Sequence, residues 1–225
     1  MLKFRFKGWI DWNKNQIAAK VNKIVPQWLK NGGTDFVCPS KKLSSAKFND
    51  MSIAAPFNLK KWIDEHRDLL KPPVGNQCVY KDAENFIVMV VGGPNSRKDY
   101  HFNESEELFY QVEGDIVVKI IDAGKFRDIE IKEGDMFLLP ARTPHSPQRG
   151  PNTVGIVIEK VREGAEEDGF LWYCENCGHK LYESKMVVTD IVKQLPPVME
   201  GFYADEHKRT CTECGSVMAP PIKKG

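Results

Sequence analysis

The sequence predicts a mainly β protein, built as an antiparallel sandwich or barrel. From residue 77 onward apolar residues recur at every second position, which is the period of strands with one buried face. Glycine, proline and asparagine punctuate these runs, and no helical pattern separates one run from the next. Many short strands without interleaved helices indicate antiparallel pairing.

Composition excludes several classes of protein. The 225 residues are 41% hydrophobic and 28% charged, which suits one globular domain with small attachments. No apolar run approaches the roughly 18 residues that a membrane helix needs, so we expect no membrane partner. Residues 1–50 hold ten basic and three acidic residues, whereas the remainder holds 22 and 28. The mildly acidic remainder argues against nucleic-acid binding.

Residues 1–50 form a basic extension with scattered aromatic residues. We expect this extension to be disordered, or to be an upstream stretch wrongly joined to the gene model. A mitochondrial presequence stays open as an alternative, although Arg5 is the only arginine and such segments are usually rich in arginine. Met51 would be a natural start for the folded protein, which we expect to be cytoplasmic.

One helix precedes the strands. Asn58 can cap it, and a stripe of Leu59, Trp62, Ile63, His66, Leu69 and Leu70 follows at helical spacing. Pro72 and Pro73 end it, and we expect it to pack outside a sheet with His66 as an ordinary packed residue. The strands are predicted at Gln77–Lys81, Asn85–Val91, Glu107–Val112, Asp115–Asp122, Phe126–Lys132, Met136–Leu139, Thr153–Val161 and, after a charged linker at residues 162–169, Lys180–Val188. A possible short helix covers Thr189–Gln194.

Two histidines and a carboxylate have spacings that suit one metal ion. His101 and Glu107 are six residues apart, so both fall on one face of regular strands, whereas Glu106 points away. If His101 and His145 share a metal, strand alternation gathers six residues into one interior: Arg97, His101, Glu107, Phe109, His145 and Arg149. Two His and one carboxylate commonly hold a divalent metal that keeps positions open for substrate and dioxygen. Such a charged interior would be costly without a metal and an anionic ligand.

Four of the six cysteines form two C-x-x-C-G pairs. They are Cys174, Cys177, Cys211 and Cys214, and no secretory signal precedes them. This pattern favours a tetrahedral Zn or Fe site in a reducing compartment over disulfides. His179 follows the first pair, but four cysteines already complete the site.

Two patterns resemble the motifs of the cupin superfamily. His101-x5-Glu107-x6-Gly114 is similar to the first motif, and Gly134-x5-Pro140-x4-His145 to the second. Asn103 stands where many cupins have a further histidine, so a three-ligand iron site is implied. The implied fold is a cupin jelly-roll barrel with a few peripheral helices and a small C-terminal four-cysteine segment.

Further stretches resemble the 3-hydroxyanthranilate 3,4-dioxygenase family of bacterial and fungal type. They include Asp99-Tyr100-His101, Phe109-Tyr110-Gln111, Pro144-His145-Ser146-Pro147 and Thr153-Val154-Gly155, within a resemblance that covers residues 57 to 215. The resemblance implies that Fe(II) and dioxygen open the ring of 3-hydroxyanthranilate. The product, 2-amino-3-carboxymuconate semialdehyde, closes without enzyme to quinolinate, a precursor of NAD in the kynurenine pathway.

The resemblance also implies residue roles and boundaries. His101, Glu107 and His145 bind Fe(II), and Glu107 also touches substrate. Arg149 binds the substrate carboxylate, Arg97 holds substrate and dioxygen, and Glu159 contacts the substrate and handles its protons. The four cysteines hold a rubredoxin-like Fe or Zn with a structural role, and the protein is a homodimer. The cupin domain spans residues 51–161, and the linker and cysteine segment span 162–225.

Three alternatives remain open. The chain could be another cupin metal-dependent oxygenase acting on a small anionic substrate. A thiol dioxygenase or a sugar-phosphate isomerase would leave the Arg97 and Arg149 pair and the four-cysteine segment unexplained. It could be a cupin that senses a ligand through its metal. The cysteine pairs could form a zinc ribbon that binds nucleic acid, although Glu175, Glu183 and Glu213 make its surroundings acidic.

Overall fold

Two antiparallel sheets form the framework of this computed structural model, which describes residues 55–72, 75–81, 83–189 and 191–222. The strands are β1 (Asn76–Cys78), β2 (Phe86–Gly92), β3 (Tyr100–Phe102), β4 (Glu107–Glu113), β5 (Ile116–Asp122), β6 (Lys125–Ile131), β7 (Met136–Leu139), β8 (His145–Arg149), β9 (Val154–Lys160), β10 (Asp168–Tyr173) and β11 (Lys180–Met186). The helices are α1 (Leu59–Glu65), a 3-10 turn (Arg67–Leu70), α2 (Ile191–Ala204) and α3 (Glu206–Arg209). The prediction of a mainly β fold with few peripheral helices is confirmed.

The strand order places distant parts of the sequence side by side. One sheet runs β1-β2-β9-β4-β7 and the other runs β11-β10-β3-β8-β5-β6. Their inward side chains form one apolar core, which comprises Val91, Phe109, Ile116, Val118, Ile120, Ile131, Leu139 and Val157. Polar residues replace this apolar filling where β3, β4, β8 and β9 meet, so the sheets themselves frame a polar interior.

Helix α1 packs on the outside of the first sheet, as predicted. The Asn58 side chain accepts a hydrogen bond from the Lys61 backbone N–H at 2.9 Å, which caps the helix. Ile63 is buried in a small cluster with Leu70, Val90 and Val154. The α-helix ends at Glu65. A 3-10 turn then continues to Leu70, and Leu70 packs in this cluster.

The C-terminal segment joins the second sheet. Strand β10 pairs with β3 on one side and with β11 on the other. The linker predicted at residues 162–169 is therefore wrong in its last part, because Asp168 and Gly169 are buried and begin β10. The sequence pattern does not predict a buried, charged residue at the start of a strand. Asp168 is accommodated there because it contacts His101 and Arg162 in the polar interior.

Helix α2 is longer than the short helix predicted at Thr189–Gln194, and it continues through Pro196 and Pro197 to Ala204. Proline inside a helix normally costs about 3 kcal/mol. Here a stripe of apolar residues at helical spacing packs against a third cluster, and this packing outweighs the cost. The stripe comprises Leu195, Val198, Met199, Phe202 and Tyr203, and the cluster is centred on Phe170, Trp172 and Met218.

Within the described ranges no helix has both the length and the apolar character needed to cross a membrane. The basic extension predicted to be disordered, residues 1–50, lies outside the described residues.

Candidate active site and metal centres

The two histidines and the glutamate predicted as metal ligands come together in the polar interior. His101 on β3 lies directly opposite His145 on β8 in the second sheet, and Glu107 projects from β4 in the first. All three are buried, with 2–5% of their surface exposed. One ligand atom from each lies within 4.8 Å of the others. This spacing lets a single ion contact all three.

Both imidazoles are oriented by hydrogen bonds to their second ring nitrogen. His145 Nδ1 lies 2.9 Å from the Thr143 carbonyl oxygen, and His101 Nε2 lies 2.6 Å from Asp168 Oδ2. Each acceptor holds the proton on that nitrogen. The remaining nitrogens then face Glu107 Oε1, at 3.5 Å from His101 and 3.3 Å from His145. This donor set fits a divalent transition metal, since both free lone pairs and the carboxylate converge.

Glu107 is held in its ligating position by its neighbours. Asn103 donates a hydrogen bond to Glu107 Oε1 at 2.8 Å, so the residue at the extra-ligand position of many cupins supports a ligand here. Burial opposes ionisation of Glu107, but its interactions with His145 and His101 outweigh burial and lower its pKa well below the usual value. Glu106 is exposed, as strand alternation predicts.

Glu159, on β9, lies directly opposite Glu107 and is also buried. Burial and the nearby Glu107 charge raise the pKa of Glu159, although the Arg162 guanidinium, 2.9 Å away, opposes this shift. The residue is therefore an inward carboxyl group and not a surface glutamate at a strand end. A buried carboxyl group with a raised pKa is suited to accepting and returning protons.

Arg149 ends β8 inside the same interior, with only 4% of its surface exposed. Among the described residues its guanidinium has no carboxylate partner, and its side chain donates one hydrogen bond, to Gln111 Oε1 at 3.2 Å. A Cβ atom on Gly155 would stand 2.6 Å from that oxygen and 3.0 Å from Arg149 Nη1, so the glycine makes room for the pair. Burial and repulsion from Arg97 lower the pKa of Arg149 to about 10, which leaves it charged at neutral pH. The site thus holds a charged group that lacks a counter-ion.

Arg97 has a counter-ion. Asp99 is fully buried and accepts two hydrogen bonds from the Arg97 guanidinium, at 3.2 Å from Nε and 2.5 Å from Nη2. This two-point contact fixes the direction of the Arg97 side chain. The two predicted substrate-binding arginines therefore differ, because one is paired and the other is free to accept an anion.

The four cysteines form the second cluster of potential metal ligands in the described residues. Cys174 and Cys214 have sulfur atoms 3.6 Å apart, and those of Cys177 and Cys211 are 3.5 Å apart. Hydrogen bonds from Ser216 and Asn176 lower the pKa of Cys214 to about 5, which favours the thiolate that a metal needs.

The two cysteine pairs have matching backbone turns. Gly178 donates its N–H to the Cys174 carbonyl at 2.9 Å, and Gly215 does the same to Cys211 at 2.9 Å. Both glycines have positive φ, at 76° and 72°, which explains why glycine follows each pair. The two turns bring four sulfur atoms within 4.8 Å of one another, and four cysteine ligands suit zinc or iron.

Sequence reasoning missed four polar residues that orient the site. Asp99, Gln111, Arg162 and Asp168 each contact one of the predicted site residues. Gln111 and Glu107 are four apart on β4, so alternation alone could have placed Gln111 inside. Arg162 and Asp168 lie in a stretch whose charge resembles that of an exposed linker, and no local pattern distinguishes them.

Several known proteins are similar to this chain. The family model described as 3-hydroxyanthranilic acid dioxygenase matches residues 51–203. A 3-hydroxyanthranilate 3,4-dioxygenase of Xanthomonas oryzae is 52% identical over 169 residues, covering 75% of this chain and 95% of the relative. One from Jannaschia sp. is 52% identical over 168 residues, covering 74% and 93%.

Solved structures are also similar over part of the chain. The crystal structure of protein NMB1881 from Neisseria meningitidis covers 48% of this chain and 100% of its own, with 22% identity and a TM-score of 0.39. A cupin-2 domain containing protein from Shewanella frigidimarina covers 44% and 92%, with 16% identity and a TM-score of 0.36. The match to the family model and the identity to these curated relatives, which extend over most of the described residues, show that the chain belongs to the 3-hydroxyanthranilic acid dioxygenase family.

Proposed function

We propose that this protein opens the aromatic ring of 3-hydroxyanthranilate with dioxygen, at an Fe(II) ion held by His101, Glu107 and His145. The observation that carries the proposal is Arg149. A guanidinium that is buried without a counter-ion is costly, and a substrate carboxylate removes that cost when it binds. The relatives' names supply the identity of the substrate.

Fe(II), when bound, would supply the redox chemistry that lets electron density pass from the ring to dioxygen. His101, Glu107 and His145 would hold the ion and would leave room on it for the substrate's phenol and amine and for dioxygen. The bond between the third and fourth ring carbons breaks, and both oxygen atoms enter 2-amino-3-carboxymuconate semialdehyde. This product closes to quinolinate without enzyme, which places the reaction in NAD biosynthesis through the kynurenine pathway.

The chain's own residues orient the reactants and move protons. Arg149 grips the carboxylate with its planar fork, and Arg97, held by Asp99, lies beside the space for substrate and dioxygen. Glu159 accepts a proton from the substrate as the ring loses electron density and returns it to the product. Because Arg149 and Glu159 are buried, water is excluded from them and their charges act strongly.

The four-cysteine cluster holds iron or zinc in a structural role under this proposal. Its thiolates lie on the loop after β10 and on the segment after α3, so an ion would tie both to the second sheet. We also propose a cytoplasmic homodimer without nucleic-acid partners. Light scattering on the purified protein tests the dimer.

The decisive experiment is anaerobic reconstitution with Fe(II), followed by 3-hydroxyanthranilate and air. We expect a near-ultraviolet band from the conjugated semialdehyde that decays as quinolinate accumulates. If iron occupies the three-residue site and no band forms, the proposal is overturned. The Arg97 and Arg149 pair would then favour a cupin oxygenase that acts on a different small anionic substrate.

A further inference from the structure

Asp168 is a buried carboxylate that is fixed at both oxygens. It is 1% exposed, and Arg162 donates to Oδ1 from Nε at 3.0 Å and to Oδ2 from Nη2 at 2.6 Å. A guanidinium that contacts both oxygens leaves the carboxylate no freedom to rotate. Asp168 is therefore a rigid acceptor, in contrast to an exposed carboxylate that samples several rotamers.

This rigid acceptor faces the side of His101 that is turned away from the other ligands. Asp168 Oδ2 lies 2.6 Å from Nε2, while Nδ1 faces Glu107 Oε1 at 3.5 Å. A neutral imidazole carries a proton on one ring nitrogen and binds a metal through the lone pair of the other nitrogen. By holding the proton on Nε2, Asp168 leaves the Nδ1 lone pair aimed at the ion.

The face of the same ring is also fixed by β10. Phe170 stacks on His101 with ring centres 5.2 Å apart and planes 15° from parallel, and the two residues are direct partners in the β10–β3 pairing. Asp168 and Phe170 are two apart, so alternation places both on the same side of β10. One strand thus sets both the rotation and the tilt of the imidazole.

Arg162 connects this arrangement to the substrate side of the interior. Its side chain is 8% exposed and contacts Glu159 Oε2 through Nη1 at 2.9 Å, while it grips Asp168. The Arg162 guanidinium therefore contacts both Asp168, the hydrogen-bond acceptor of His101, and Glu159, the proposed proton-transfer residue. Removing it would leave two buried carboxylates uncompensated.

We infer that Asp168 and Arg162 are positioning residues for the metal ligand His101, with Asp168 fixing the ring's tautomer and rotation and Arg162 fixing Asp168. The inference rests on the proposed metal site at His101, Glu107 and His145. It predicts that losing the Asp168 charge weakens metal binding by about 10- to 100-fold, the usual effect of removing such a partner.

The test uses full-length protein with zinc preloaded in the four-cysteine site and Co(II) as the probe at the other site. Calorimetry gives the Co(II) Kd for wild type, Asp168→Asn and Glu167→Gln. Glu167 is the matched control, because it is the exposed neighbour of Asp168 and loses the same charge. We expect weaker binding for Asp168→Asn only, and equal Kd values for all three would overturn the inference.

A spectroscopic measurement separates positioning from general destabilisation. Proton NMR of the Co(II) protein should show two exchangeable, strongly shifted signals, one from each ligand histidine. In Asp168→Asn one signal should vanish or exchange faster, because its proton loses a charged acceptor. Retention of both signals unchanged would contradict the assignment.

Arg162→Lys supplies a second variant if Asp168→Asn does not fold. Lysine keeps the charge but cannot contact both Asp168 oxygens, so we expect a smaller increase in the Co(II) Kd. Arg162→Lys with wild-type affinity and wild-type NMR signals would overturn the role of Arg162. If wild-type protein itself fails to bind Co(II) at this site or to turn over 3-hydroxyanthranilate, the proposed function fails instead.

Discussion

Asp99 holds Arg97 through two hydrogen bonds, and its carboxylate is fully buried beside the candidate iron site. Arg149, four residues beyond the metal-ligand candidate His145, has no such partner among the described residues. The side chain of Arg97 therefore has a fixed direction, whereas the guanidinium of Arg149 is available to bind an anion. Specific mutations can test each role.

Asp99→Asn should lower kcat/KM while leaving metal affinity unchanged. The amide keeps the shape of the side chain but accepts only one of the two hydrogen bonds, so Arg97 loses its fixed direction. Losing a hydrogen bond between charged groups costs about 1.5–3 kcal/mol, or roughly 10- to 150-fold in rate. Steady-state kinetics and metal titration measure the two effects, with Asp128→Asn as an exposed control. Unchanged kcat/KM would show that the contact with Asp99 does not position Arg97 for the reaction.

Arg149→Met should raise KM about 10- to 100-fold, because the substrate carboxylate loses a charged, two-point partner. The same change should not lower the free energy of unfolding of the metal-loaded protein, since it removes a buried charge that has no counter-ion. Kinetics and thermal unfolding test the two halves separately. Arg127→Met, at an exposed arginine on β6, is the control. A wild-type KM would remove Arg149 from substrate binding.

His101→Ala and Glu107→Ala should each abolish metal binding at the first site, and activity with it. Only three protein ligands converge there, and either change leaves two. Metal content per chain and turnover are the measurements. His66→Ala is the matched control, because His66 stacks on Trp62 in the region of α1, away from the site. Full turnover in either variant would contradict the assignment of His101 and Glu107 as metal ligands.

Glu159→Gln should remove the acid limb of the pH–rate profile. Burial raises the pKa of Glu159 above its ordinary value of 4.5, so its carboxylate form is lost as pH falls through that higher value. If the carboxylate accepts a substrate proton, kcat falls over the same range, and glutamine cannot titrate. Rate measurements across pH on wild type, Glu159→Gln and the exposed control Glu130→Gln decide this. An identical acid limb in Glu159→Gln would assign it to another group.

Cys214→Ser should lower Tm by several degrees while turnover per bound iron stays close to wild type. Loss of one thiolate should weaken binding of the metal ion that we propose at this cluster. Each kcal/mol of stability lost corresponds to about 2–4 °C in a domain of this size. Cys78→Ser, an exposed cysteine outside the cluster, is the control. Lost turnover in a folded, iron-replete Cys214→Ser variant would instead give the cluster a part in the chemistry.

Much of the fold could be predicted because strand patterns and turns are local. Alternation placed Glu107 inward and Glu106 outward, and β7 has the predicted bounds, Met136–Leu139. The extent of α2 could not be predicted, because Pro196 and Pro197 argue locally for an end. Packing of Phe202 against Trp172, with ring centres 4.4 Å apart, stabilises α2 beyond the two prolines.

The site was predictable where spacing alone defines a motif. His101, Glu107 and His145 follow from parity and from the cupin-like spacings, and the four cysteines from their paired turns. Asp168 could not be predicted, because nothing in its neighbours shows that β10 will pair with β3. Partners that meet only through the pairing of distant strands leave no local signal.

Strand β10 has a consequence for how the protein is made. The ligand His101 emerges from the ribosome 67 residues before Asp168, its acceptor. Strand β10 is in turn flanked by β11 and packed beneath α2, both of which are synthesised later still. A nascent chain that stops short of residue 168 contains all three metal ligands but lacks the group that aims the first of them. We therefore expect full affinity for the metal only after residue 168 has been synthesised.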